Sequence, residues 1–207
     1  EKQKACYRIN QKYRCTMEMS EILLAPPSVF AVEDTYQICV IVGAECTMWV
    51  QVGEKKYFDH SNGILRSGKY LHKVVLPMKK LDAEKKYKVF LRPIIERKPY
   101  FTETKEPVSK EYTFSPIQKK EKYNIINIAD AHNLVEEPVQ AGSFFGDDLD
   151  MLVLCGDVPN HAGDVEYFKA IYKIAGGITG GRVPCVYARG NHDMRGIYGE
   201  QLTDYSP

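Results

Sequence analysis

Three short runs in this sequence gather residue types that hold divalent metal ions. The first is Asp130-Ala131-His132. The second is Gly156-Asp157, with Asn160 close behind. The third is Gly190-Asn191-His192-Asp193. Carboxylate and amide oxygens together with imidazole nitrogens suit Mn, Fe or Zn. On an extended segment, D-x-H turns both side chains to one face, so one ion can take both. A carboxylate has two oxygens and can bridge two ions, and Asp157 is the natural bridge. Two ions ~3.5–4 Å apart can bind both oxygens of a phosphoryl group and supply a hydroxide near neutral pH. The chemistry such a set would perform is phosphate-ester hydrolysis.

Each residue also has a plainer reading. A single Asp or Asn after a strand commonly caps a helix or forms a turn. His161 and Asp164 are expected to cap the helix that follows them, and His60 and His72 are expected on the surface. The metal reading rests on conjunction: D-x-H, G-D and G-N-H-D each close an apolar run, in order.

The elements that must position these residues follow from the same runs. Tyr123–Ala129, Asp150–Cys155 and Val183–Ala188 read as short apolar strands without polar alternation, the pattern of strands buried on both faces. Between the last two, Asp164–Ala175 carries an apolar stripe at helical spacing that stops before Gly176-Gly177. Strand, loop or helix, strand, helix, strand is an α/β crossover order. In an open α/β sheet ligands bind at the carboxyl ends of the strands, where all three motifs fall.

The chain ahead of them has a different grammar. Tyr36–Val42, Thr47–Val52, Lys55–Asp59, Leu71–Leu76, Tyr87–Leu91 and Tyr112–Phe114 read as strands punctuated by turns. The expectation is an immunoglobulin- or fibronectin-like β-sandwich over residues 1–116, a linker at 117–122 and an α/β unit over 123–207.

Composition adds bounds. The 207 residues are 44% hydrophobic and 27% charged, ordinary for a globular protein. A net charge of +1 gives no electrostatic reason to expect nucleic acid. No apolar run approaches the ~20 residues that span a bilayer, so no membrane partner is expected. The sequence starts at Glu1, which leaves a cytoplasmic protein and an exported one with its leader removed equally open. Of the six cysteines, Cys155 and Cys185 lie in apolar runs and are expected to be buried thiols. Cys39 and Cys46 flank a turn, where a disulfide is one outcome and free thiols the more frequent one.

The three motifs resemble the first three of the calcineurin-like metallophosphoesterase superfamily, over roughly residues 123–200. The third is the most specific. The resemblance implies that Asp130 and His132 hold one metal, that Asp157 bridges, and that Asn191 holds the second. It implies that His192 is the acid or hydrogen-bond donor at the leaving oxygen. The fold implied is part of an α/β/β/α sandwich with its C-terminal half absent. The β-rich region ahead is similar to the N-terminal module of purple acid phosphatases.

The departures are specific. Purple acid phosphatases carry a tyrosine after G-D that ligates ferric iron; here Asn160 follows and Tyr167 lies in the expected helix, so no purple ferric centre is implied. Relatives often place an aspartate where Asn160 stands, to orient the third-motif histidine. The superfamily's later histidines, one alone and two in G-H-x-H, have no counterpart, since no histidine follows His192. The expectation is a two-metal phosphoesterase whose longer parent is the competent enzyme. The competing reading is a non-catalytic binding protein carrying a phosphoesterase remnant.

Overall fold

The structure, a computed structural model, describes residues 18–68 and 70–207. Cys6 and Cys15 lie outside them. In chain order the strands are β1 (Ser28–Val32), β2 (Thr35–Ile41), β3 (Cys46–Val52), β4 (Lys55–Phe58), β5 (His60–Ser61), β6 (Ile64–Leu65), β7 (Leu71–Pro77), β8 (Lys86–Arg97), β9 (Thr102–Thr104), β10 (Val108–Thr113), β11 (Ile125–Ile128), β12 (Met151–Cys155) and β13 (Pro184–Ala188). The main helix is Lys169–Thr179, entered through a 3-10 turn at Val165–Phe168. It runs on through Gly176-Gly177, before which it was expected to stop, and ends where Gly180 turns left-handed.

Among the described residues there are two large sheets and a small two-stranded one, β5-β6. One large sheet has six strands in the order β11-β12-β13-β1-β2-β7; the other runs β10-β8-β3-β4, with β9 on β8. β11, β12, β13 and β1 are parallel to their neighbours, and β1, β2 and β7 are joined antiparallel. β1 follows Pro26-Pro27 and falls outside the strands expected from sequence. It pairs Val29 with Pro184 and Phe30 with Cys185, so strands from both sides of 117–122 share one sheet. The expected sandwich over 1–116 and α/β unit over 123–207 thus each contribute strands to this sheet. Linkage across the same segment continues where Ser115 N donates to Arg182 O at 2.7 Å.

The six-stranded sheet is covered differently on its two faces. On one, Leu152, Leu154, Cys185, Phe30 and Cys39 pack against Ile171, Ile174 and Ala175 of the long helix. On the other, Val29, Ile38, Val40, Val74 and Leu76 pack against Met48, Val50, Val89 and Leu91 of the second sheet. Each such side chain, fully buried, contributes about 1.5–3 kcal/mol. The second sheet does not reach β11 and β12, whose Ile125, Met151 and Val153 are exposed or half-exposed. Burial of these strands on both faces was expected; one face is covered.

Of three smaller expectations, the first holds and the other two are revised. Cys39 and Cys46 are free, buried thiols. Cys155 is exposed, because it alternates with Leu152 and Leu154 and so lies on the open face. His72 is buried, sharing its parity in β7 with Val74 and Leu76. No helix among the described residues is long and apolar enough to cross a membrane.

Candidate metal centre

All three motifs lie just beyond the carboxyl ends of β11, β12 and β13, which run parallel and in adjacent positions. The ladder between β11 and β12 continues past the strands. Asp130 N donates to Gly156 O at 3.1 Å, His132 N to Asp157 O at 3.0 Å and Asn133 N to Val158 O at 2.9 Å. These bonds hold backbone that is otherwise disfavoured: Asp130, His132 and Asp157 have φ of 54°, 45° and 52°. Left-handed non-glycine residues cost about 1–3 kcal/mol each and persist only where the surroundings over-determine them.

Two glycines allow the second and third motifs to touch. A Cβ on Gly156, which has φ of 81°, would lie 2.8 Å from Gly190 Cα. A Cβ on Gly190 would lie 2.5 Å from Asp157 N. Neither position has room for a side chain.

His132, Asp157 and His192 each offer a ligand atom within 4.8 Å of the others. The His132 and His192 rings meet edge to face with centroids 4.6 Å apart. Asp130 sits at the rim, its carboxylate 4.0 Å from His132 Nε2 and 72% exposed. Asn191, with its amide oriented to satisfy its neighbours, donates from Nδ2 to Asp157 Oδ2 at 3.0 Å. Asp157 Oδ1 accepts from His192 N at 2.8 Å. Among the expected residues, His132, Asp157 and His192 are in mutual reach, Asn191 joins them through Asp157, and Asp130 adjoins them through His132. Two imidazoles and carboxylates form a donor set that fits a divalent transition metal.

The His192 ring has a defined tautomer. Its Nδ1 lies 2.6 Å from Asn160 O, so Nδ1 carries the proton. Arg195 Nη1 lies 3.0 Å from Nε2, which therefore accepts. Position 160 orients the histidine through its main-chain carbonyl, so the Asn-for-Asp change noted in the sequence does not bear on this contact. The Asn160 side chain is not involved; Asn160 N instead donates to Asn133 Oδ1 at 2.5 Å. Asp164 accepts from Glu166 N and caps the 3-10 turn as expected, whereas His161 Nδ1 accepts from Gly163 N, ahead of that turn, and caps no helix.

Beneath the cluster lies Asp193, which is fully buried. Its Oδ2 accepts from Asp157 N at 2.7 Å and Gly190 N at 2.8 Å, and its Oδ1 accepts from Tyr187 Oη. Burial first, and then this bond to a carboxylate, push the Tyr187 phenol far above its ordinary range, so it remains the donor. Asp193 was visible within the third motif but carried no assigned part. Tyr187 and Arg195 were not singled out at all; for Arg195 the available signal was its spacing of one helical turn after the motif.

No protein-family model matches the sequence, and no curated protein matches it. Among solved structures, a purple acid phosphatase from yellow lupin (Lupinus luteus) seeds is similar, with a TM-score of 0.52 at 16% identity. The match covers 82% of this chain and 36% of that one. PhoD matches with a TM-score of 0.42 at 13% identity, over 87% of this chain and 41% of its own. The chain thus spans well under half the length of either, and the likeness is one of fold.

Proposed function

We propose that this chain carries the metal-binding part of a two-metal phosphoesterase of the calcineurin-like kind, acting on phosphate esters. The observation that carries the reading is the convergence of His132, Asp157 and His192 at the carboxyl ends of three adjacent parallel strands. The fold likeness to a purple acid phosphatase supports it.

Asp130 and His132 would hold one divalent ion, Asp157 would bridge, and Asn191 would hold the second. Ions there would supply positive charge to the phosphoryl oxygens and acidify a water. The chain's own residues do the rest. The crossed bonds between Asp157 and the third-motif loop fix the carboxylate and His192 relative to each other. His192 keeps one proton at Nδ1 on Asn160 O and presents Nε2, the atom at which a second proton would be held for the leaving oxygen.

The test is Mn(II) titration followed by electron paramagnetic resonance, with hydrolysis of an aryl phosphate measured alongside. Wild type should bind Mn(II), and Asp157→Asn should lose at least about tenfold in affinity, since even partners behind the ligands are worth that much. Equal binding by wild type and Asp157→Asn would overturn the assignment. Mn(II) binding by this chain, with no hydrolysis of an aryl phosphate by a longer polypeptide that contains it, would favour a non-catalytic protein.

A further inference from the structure

The third motif offers the candidate centre two lone-pair atoms, Asn191 Oδ1 and His192 Nε2, and one side chain engages both. Arg195 Nη2 donates to Asn191 Oδ1 at 2.6 Å, and Arg195 Nη1 to His192 Nε2 at 3.0 Å. A guanidinium is charged at every relevant pH and cannot lose a proton to accommodate a neighbour. A divalent ion on Asn191 Oδ1 would stand within a few ångströms of that fixed like charge and be repelled by it. Ion and guanidinium therefore compete.

The backbone at this position is held by bonds of its own, independent of the side chain. Arg195 N donates to His192 O at 3.2 Å, and Arg195 O accepts from Ala162 N. The Arg195 residue itself is exposed. The guanidinium can thus leave without the loop moving, and its flexible stem keeps it within reach of the same centre. The anion that would await it there is a phosphoryl group, whose oxygens match the planar fork of an arginine. A monoester has three terminal oxygens. It can give one or two to the ions and still present one to the guanidinium. A diester has only two.

On this basis, and resting on the proposed function, we infer that Arg195 is an exchanging cation. It occupies Asn191 Oδ1 and His192 Nε2 until a metal ion takes the first of them. It then binds the phosphoryl oxygens and selects phosphate monoesters.

Three proteins test this: wild type, Arg195→Ala and Arg195→Lys, each first shown by circular dichroism to melt at the wild-type temperature. Mn(II) affinity is read by electron paramagnetic resonance. Removing an exposed competing charge should tighten it in Arg195→Ala by about fivefold. Inorganic phosphate binding to the Mn(II)-loaded proteins is read by calorimetry. Losing a charge-assisted, bidentate contact should weaken it in Arg195→Ala by about tenfold or more. Arg195→Lys, which keeps the charge without the fork, should fall between on phosphate. Unchanged Mn(II) affinity or unchanged phosphate binding in Arg195→Ala would overturn the exchange. A wild type that binds no Mn(II) would instead remove the metal assignment on which it rests, so the two failures are distinct.

Discussion

Asp157 and Asp193 clamp each other's loops reciprocally. The Asp193 carboxylate accepts from the backbone N–H of Asp157, and the Asp157 carboxylate accepts from the backbone N–H of His192, next to Asp193 in the chain. Each loop thus fixes the other, and the candidate ligand Asp157 is positioned by a residue that is itself buried and unable to ligate from where it stands.

Asp193→Ala should accordingly damage the site without touching a ligand. It leaves the N–H groups of Asp157 and Gly190 and the Tyr187 hydroxyl without their acceptor. Each orphaned buried donor costs about 1–3 kcal/mol, so a loss of about 3 kcal/mol or more is expected in urea denaturation. Tyr187→Phe removes one donor only and should cost about 1 kcal/mol. A ratio near one between the two variants would show that the carboxylate is not the shared acceptor.

Gly190→Ala tests the close approach of the second and third motifs. Its new methyl would press on Asp157 N, which is backbone and cannot rotate away. Forced displacement in packed regions costs about 1–3 kcal/mol. Mn(II) affinity should fall by at least about tenfold because Asp157 moves with its backbone. Retained affinity would mean that the loops separate without disturbing the ligands.

A different site governs pH dependence. His72 Nδ1 lies 2.7 Å from Asp59 Oδ2, both side chains being at most 2% exposed, and Nε2 faces Cys46 Sγ at 3.4 Å and Gly68 O at 3.2 Å. Burial alone would lower the imidazole pKa, but the bonds to Asp59 and Cys46 outweigh it and raise it from 6.5 to about 9. A raised value means that the folded state holds the proton more tightly than the unfolded one. The resulting stability is complete below pH 6.5 and disappears as pH rises through about 9. The urea midpoint should therefore decline between neutral pH and pH 10 by more in wild type than in His72→Gln, the difference being on the order of 2–3 kcal/mol. Parallel curves would exclude a protonated His72.

The segment around 117–122 supplies a fourth test. Lys119, Lys120 and Lys122 are exposed and open to trypsin. A single nick there should leave the two pieces together on gel filtration, because β1 and β13 remain paired across it. Separation without denaturant would show that this pairing contributes little to stability.

The candidate centre was legible in the sequence to an unusual degree because its ligands follow short apolar strands, and a parallel sheet places consecutive strand ends side by side. Asp157, Asn191 and His192 needed no more than that. What sets the His192 ring was not legible, since a main-chain carbonyl leaves no trace in residue type. His72 was legible in principle: it shares parity with Val74 and Leu76, and its polarity masked the pattern. β1 was the largest omission. Its Val29-Phe30 core is short, follows two prolines, and acquires its meaning from a partner far along the chain.

That distant partnership has a consequence for how the protein is made. A ribosome delivers the residues of β1 long before those of β13, and Val29 has no Pro184 to lie beside until all the strands between them have emerged. Until then the nascent hairpin of β1 and β2 presents an unsatisfied edge, open to any other extended chain nearby. The stretch from β1 to β12 is therefore expected to depend on chaperones during synthesis until β13 emerges to close the edge.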